Sequence, residues 1–434
     1  MSNSITRGLA IALVGITAAI ASSKTLTTRF SASHQHPAIG YGTRQRVDRV
    51  QQLHERLTSG DAALTLETNR GYLSSLLDAL EVPVESQTLV FSQTSLQASH
   101  INPKNPRAIY FTDDVAVAWV RGAPDIELAA LDPEQGVMFY TLSQQRRRPP
   151  RFQRPNSCID CHVSDATLGV PGLAVGSTVA DTNGIPYSSH AVDHRTMIES
   201  RWGGWYVTGY TGFGRHVGNT VATDPDKPML HHNVDNLNLE SIADRFDSTG
   251  YLTPYSDIAA LMVLEHQTHM TNLLTRVGWE FRVAVHEQRV SSTLVRRPKP
   301  LISSSLLRDA VHTLVDYMLF IDEAPLTDRM IGSSGFTSVF SMRGPFDHKG
   351  RTLRTIDLDR RLFRYPCSYM IYANAFNALP IDAKNAIYRR LWEVLSGHDP
   401  DLKYRRLSSD DRNNIVSILQ DTKDDLPPYL INAR

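Results

Sequence analysis

Cysteine is scarce in this chain, with three residues in 434, at positions 158, 161 and 367. That leaves one close pair and one single thiol, so structural zinc of the four-ligand kind lacks its second cysteine pair. Charge of one sign is not in excess either. Lys plus Arg and Asp plus Glu stand at 45 each, and no overall field draws the chain to nucleic acid or to a membrane surface. Long hydrophobic runs are missing: the apolar stretch GLAIALVGITAAIA, residues 8–21, is fourteen long, short of the about 20 residues that span a bilayer. No glycine-rich phosphate loop, nucleophile elbow, HExxH motif or internal repeat is found. What remains is 41% hydrophobic and 21% charged residues. Those values describe a folded globular protein, long enough for two or three cores.

The first residues read as a leader. Arg7 precedes the apolar run, and the run ends on Ala19-Ile20-Ala21, which is the n-region, h-region and A-x-A pattern of a secretory signal peptide. The alternative is an uncleaved anchor. No cysteine follows the run to carry a lipid, so the expectation is a periplasmic or secreted protein with no stable membrane span after cleavage.

Export sharpens the meaning of NSCIDCHVSD, residues 156–165. Two thiols three residues apart in an oxidising compartment suit a local disulfide, a redox dithiol, zinc or covalent haem c. A redox dithiol normally follows a strand and opens a helix, whereas RFQRPNS, residues 151–157, is polar and contains proline. Haem c uses every element of the motif. Cys158 and Cys161 each take a vinyl group from one turn of helix, and His162 supplies the proximal iron ligand. One motif implies one covalent haem.

A resemblance extends beyond the motif. The segments VFSQTSLQ, IYFTDDVAVAWVRG, DPEQGVMFYTL, VPGLAVGS, DHRTMIESRWGGWYVTG, SDIAALMVLEHQTHM and LFRYPCSYMIY resemble a family of large exported bacterial monohaem cytochrome c domain-containing proteins of unestablished activity. The similarity runs over residues 85–380. It implies a haem protein and no particular reaction. Met197 stands where proline is common, and Thr271 where a histidine often precedes the asparagine.

The periodicities predict an α+β fold: a mainly helical haem-binding scaffold with a small antiparallel β region before the motif. Apolar spacings of three and four over residues 42–82 predict helices in an N-terminal region, 22–84, after the signal peptide, 1–21. Alternation over 108–112, 115–120, 126–131 and 137–142 predicts strands in a β-rich region, 85–150. A haem-binding domain, 151–298, and a mainly helical C-terminal region, 299–434, follow. Within the haem-binding domain, RWGGWYVTGYTGFGRH, residues 201–216, reads as a twisted hairpin whose aromatics can also wall a haem; within the C-terminal region, helices fall at 306–320, 383–395 and 410–419, with a long polar loop at 333–353 between the first two. Cys367 reads as a buried small hydrophobe.

The iron's second axial position has several candidates. A helix opening after Tyr255-Ser256-Asp257, with Ser256 as its cap, places Ile258, Met262, His266, Met270, Leu273 and Val277 on one stripe, making His266 the first distal candidate and Met270 an alternative. In SSHAVDHRT, His190 and His194 reach from a loop, with Asp193 able to orient His194. His231 and His232 read as a surface turn. Among the linker arginines, Arg151 and Arg154 lie nearest the motif and are candidates for the haem propionates. Electron transfer to an unidentified redox partner is the expected function. The alternative is a haem enzyme acting on peroxide or a small oxidisable substrate. Amino-terminal sequencing of the exported protein should find a chain beginning near Ser22 in the soluble periplasmic fraction; an intact Met1 in the membrane fraction would establish the anchor instead.

Overall fold

The computed structural model describes residues 33–145, 149–230, 234–292 and 305–431. The fold is α+β, as the periodicities predict, but the sheet is not small. Seven strands pair antiparallel in the order β6-β5-β4-β3-β2-β1-β9. The strands are β1 (Thr88–Val90), β2 (Arg107–Phe111), β3 (Val115–Trp119), β4 (Asp125–Asp132), β5 (Gly136–Ser143), β6 (Phe152–Gln153) and β9 (Trp205–Tyr206). β7 (Val175–Ala180) and β8 (Pro186–Val192) form a separate hairpin. The four longer strands of the sheet match the expected alternations. β6 and β9 are two residues each, too short for periodicity to mark, and they carry the sheet beyond its expected boundary of residue 150. The segment RFQRPNS is therefore in part strand, and 201–216 contributes only β9, paired with β1.

Alternation in these strands builds two cores rather than one wet face and one dry face. Val117, Trp119, Ile126, Ala130, Met138 and Tyr140 point to one side and pack on α1 (Arg49–Ser59) and α2 (Leu73–Ala79). Asp48 caps α1, accepting from the Gln51 N–H at 3.0 Å, and Val50, Leu53 and Leu57 are its buried stripe. Val47, expected in that stripe, precedes the cap and is exposed. The opposite residues, Phe111, Ala129, Leu131, Val137 and Phe139, belong to the larger core shared with the C-terminal helices.

That larger core is organised by α4 (Ile258–Ser292), 35 residues long. Over residues 258–281 only His269 is not fully buried. Several of its buried polar side chains are hydrogen-bonded. Gln267 donates to the Thr112 carbonyl at 2.6 Å and accepts from the Tyr369 hydroxyl at 2.6 Å, while Arg276 pairs with Glu280 at 2.8 Å. Asp257, rather than Ser256, caps the helix. One Asp257 oxygen accepts from the N–H groups of Ala259 (2.7 Å) and Ala260 (3.2 Å), and the other from Ser333 (2.7 Å) and Ser334 (2.6 Å). Ser256 serves the sheet: its hydroxyl accepts from Leu89 N–H and donates to the Tyr206 carbonyl.

Around α4 pack α5 (Ser305–Met318), α6 (Phe336–Ser341), α7 (Asn374–Asn377), α8 (Ile381–Leu395) and α9 (Ser409–Thr422). The three long ones match the expected helices within a few residues, whereas α6 lies inside the segment expected to be loop. A mainly helical scaffold for residues 151–298 is not what forms: before α4 the segment holds the one-turn motif helix, the hairpin, two short strands and irregular chain. Among the described residues no helix is long and apolar enough to cross a membrane. The leader at 1–21, the arginines at 146–148 and the histidines at 231 and 232 lie outside the described residues.

Removing the Asp257 carboxylate strands several backbone N–H groups at once. Asp257→Ala is expected to lower stability by about 3 kcal/mol or more, read as a lower urea midpoint, with Asp257→Asn less affected because it keeps one acceptor oxygen. An alanine variant within about 1 kcal/mol of the parent would show that this end of α4 carries no such load.

Candidate functional site

The CIDCH motif forms α3 (Cys158–His162), a single turn. Cys158 is buried, packing with the larger core, and Cys161 is exposed. Burial, followed by the Glu127 carboxylate, holds the Cys158 thiol above its usual range. His162 is fixed from two sides. Its Nδ1 donates to the Gly172 carbonyl at 2.9 Å, and its ring stacks on Phe139 with 4.2 Å between centroids. With Nδ1 so used, Nε2 is the nitrogen left for a ligand. Burial also pushes the imidazole below its ordinary pKa, favouring the neutral form that binds metal.

The Gly172 carbonyl is placed by close packing against α4. A Cβ at Gly172 would fall 2.0 Å from Asn272 Oδ1, so only glycine permits the approach. Asn272 Nδ2 donates to the Leu173 carbonyl at 2.7 Å, and Gly172 N–H returns to the His162 carbonyl at 3.0 Å. The motif, the loop after it and the long helix are thus one hydrogen-bonded unit.

Both thiols and His162 line a cavity of about 670 Å³, a size typical of cofactor pockets. Its floor is the face of the sheet shared with α4, carrying Ile109, Ala116, Ala118, Ala129 and Phe139. One wall comes from the β7–β8 hairpin through Gly176, Thr178, Ser189 and Ala191, and Trp205 closes a corner, its indole N–H held by the Gly176 carbonyl at 2.8 Å. α4 contributes Leu264 and Thr268. Two charged residues enter this setting, Arg107 and Glu127, paired at 3.3 Å.

These residues meet what a haem c needs: two thiols on one turn, an oriented imidazole, and a largely apolar cavity reaching the motif. The other expected contacts are placed elsewhere. His266 and Met270 are fully buried and not on the cavity wall. Both nitrogens of His266 are engaged, Nδ1 with His194 Nδ1 at 2.9 Å and Nε2 with the Ser368 hydroxyl at 2.7 Å. His194 is buried between His266, Tyr317 and Phe320. Arg151 is exposed. Arg154 lies over the rings of Tyr41 and Tyr140, and neither arginine touches the cavity. Met197 is exposed and Thr271 is buried off the wall. His190 does reach the wall, from strand β8 rather than a loop, in register with Ser177.

The residues that periodicity assigned to the iron instead build a second buried cluster. Arg201 Nη1 pairs with Glu265 at 2.9 Å and Nη2 donates to the His194 carbonyl at 3.0 Å. Burial pushes Glu265 up to about 7 despite that arginine, and pushes His266 down to about 3 and His269 to about 4. Cys367 is fully buried, its thiol raised to about 12 by burial, as expected of a small core residue.

No protein-family model, curated protein or solved structure matches this chain. The site therefore rests on its own geometry.

The His266 shift carries a pH dependence. Its folded pKa is depressed, so stability present above pH 6.5 is lost as pH falls toward about 3, by about 1.4 kcal/mol per pH unit while the unfolded chain binds the proton and the folded chain does not. Replacing the group with His266→Gln is expected to reduce the slope of unfolding free energy between pH 6.5 and about 5 by most of that amount. An unchanged slope in urea titrations would mean that His266 is protonated in the fold.

Proposed function

We propose that this protein is an exported monohaem c-type cytochrome whose function is electron transfer to a redox partner. One observation supports this most: Cys158, Cys161 and His162 line the same cofactor-sized cavity, and His162 has its Nδ1 committed to Gly172. When bound, a haem c supplies one reversible electron at its iron. The chain's part is to hold and insulate it. Cys158 and Cys161 would hold the group, Phe139 and Gly172 keep the imidazole from turning, and Trp205 with the alanines of the sheet would shield it from water. The exposed Cys161 leaves that edge accessible to a partner protein. Of the described wall residues other than the motif, His190 alone offers a nitrogen ligand of the imidazole kind, and no methionine is among them. The motif resemblance over residues 85–380 agrees with a haem protein and adds no reaction.

A second reading is favoured by the Arg107–Glu127 pair in the cavity. Charged groups in the cavity would suit a haem enzyme acting on peroxide or a small oxidisable substrate, with Arg107 available to stabilise developing negative charge.

Acid-denatured protein should retain one haem per chain, and the Cys158→Ala/Cys161→Ala double variant should lose it. Haem still bound covalently in that variant would overturn the reading. The ferric spectrum then separates the alternatives. A low-spin, six-coordinate iron that becomes high-spin in His190→Ala supports the carrier; a high-spin parent supports the enzyme.

A further inference from the structure

The sheet floor of the cavity is made mostly of small and apolar side chains, and its only charged ones among the described residues are Arg107 and Glu127. Ala118 pairs with Glu127 across β3 and β4, and Ala108 pairs with Trp119 across β2 and β3. Arg107 and Glu127 therefore flank β3 from either side and meet over it, on the face that carries Ala116 and Ala118. Arg107 Nη1 contacts Glu127 Oε2 at 3.3 Å, and the two side chains are 15% and 18% exposed. A guanidinium has five N–H donors in one plane. This contact uses one of them. Arg107 Nε is buried with no hydrogen-bond partner, a state that costs about 1–3 kcal/mol unless something accepts the proton.

We propose that Arg107 is a carboxylate-binding residue inside the cavity, with Glu127 holding its guanidinium in position. The inference rests on the cavity being the haem c site. The chemistry follows from the geometry. The terminal Nη1–Nη2 fork of the guanidinium matches a carboxylate, and Glu127 engages only Nη1. Charge sets the class of anion. The pair is neutral by itself, so a monoanionic carboxylate leaves one net negative charge, whereas a phosphate dianion would leave two beside Glu127 in a mostly apolar cavity. Ser92, Thr94 and Ser157 also line the wall. Two sources share this chemistry: a propionate of the porphyrin itself, or a free small carboxylate entering the cavity. Arg107 thereby takes the role that proximity in sequence gave to Arg151 and Arg154.

The test uses the haem-loaded protein with Arg107→Gln and Arg107→Lys, each first checked for a native circular dichroism spectrum. If the carboxylate is a propionate, the propionate bending band in the resonance Raman spectrum shifts in both variants, because lysine lacks the fork, and acetate has no effect on the parent. If it is a free anion, acetate produces a saturable change in the parent's haem absorption that weakens at least about tenfold in Arg107→Gln, and the bending band stays put. Should the glutamine variant fail to fold, the lysine variant carries both arms. Variants matching the parent in both measurements overturn the proposal. If the parent holds no covalent haem, it is the cytochrome reading that has failed. Acetate titration of Trp205 fluorescence in the haem-free protein then decides the carboxylate site: a saturable response lost in Arg107→Gln supports it, and no response overturns it.

Discussion

The cavity depends on one helix being held at both its start and its middle. Asp257 is fully buried, and its carboxylate joins the first turn of α4 to the chain at Ser333 and Ser334, so the helix cannot shift along its axis without breaking backbone hydrogen bonds. Fifteen positions later, Asn272 meets Gly172 and Leu173. Those contacts fix the carbonyl that orients His162. An imidazole offered to a metal needs its other nitrogen committed, because a ring free to turn loses both tautomer and direction. The commitment of Nδ1 is made by a residue outside the motif, and that residue is positioned by a helix about a hundred residues away in sequence.

The sheet solves the complementary problem, making room. Strands with both faces buried normally carry large residues throughout. Here β3 reads Val115, Ala116, Val117, Ala118, Trp119, so one face is bulky and the other bare. The bulky face is packed by α1 and α2, while the alanines face the cavity. This also accounts for the length of the chain around one cavity. A sheet used as the floor of a pocket must have its reverse side covered, and α4, buried nearly all round, must be covered by the C-terminal helices.

Much of this was legible in the sequence. The α+β class, the four longer strands and the long helices follow from alternation and from spacings of three and four, and the motif is explicit in CIDCH. What periodicity could not give was direction. On α4 the stripe from Ile258 through His266 to Val277 is real, but a helix buried on every side has several apolar stripes, and the one facing the cavity carries Leu264 and Thr268. Proximity in sequence gave no direction either: Arg151 and Arg154 are near the motif along the chain but off the cavity wall, whereas Arg107 is on it. The available signal was parity. Arg107, Ile109, Ala116, Ala118, Glu127 and Ala129 all occupy the positions whose neighbours are the large residues of the opposite face, so two charges among small side chains marked a pocket wall before any fold was known.

The histidines of α4 and the Asp193–Arg201 segment show where the remaining polar groups went. His266 lies on the side of the helix away from Leu264 and Thr268, with Glu265 beside that face, and their partners Arg201, His194 and Ser368 come from two separate segments. A buried network of this kind stabilises little over an apolar core, but it is intolerant of displacement, because each shifted partner leaves another unpaired. It locks the rotation of α4 about its own axis, just as Asp257 locks its translation. With both fixed, Asn272 has one possible position against Gly172. The direction of His162 is then a consequence of the whole core rather than of the five residues that contain it.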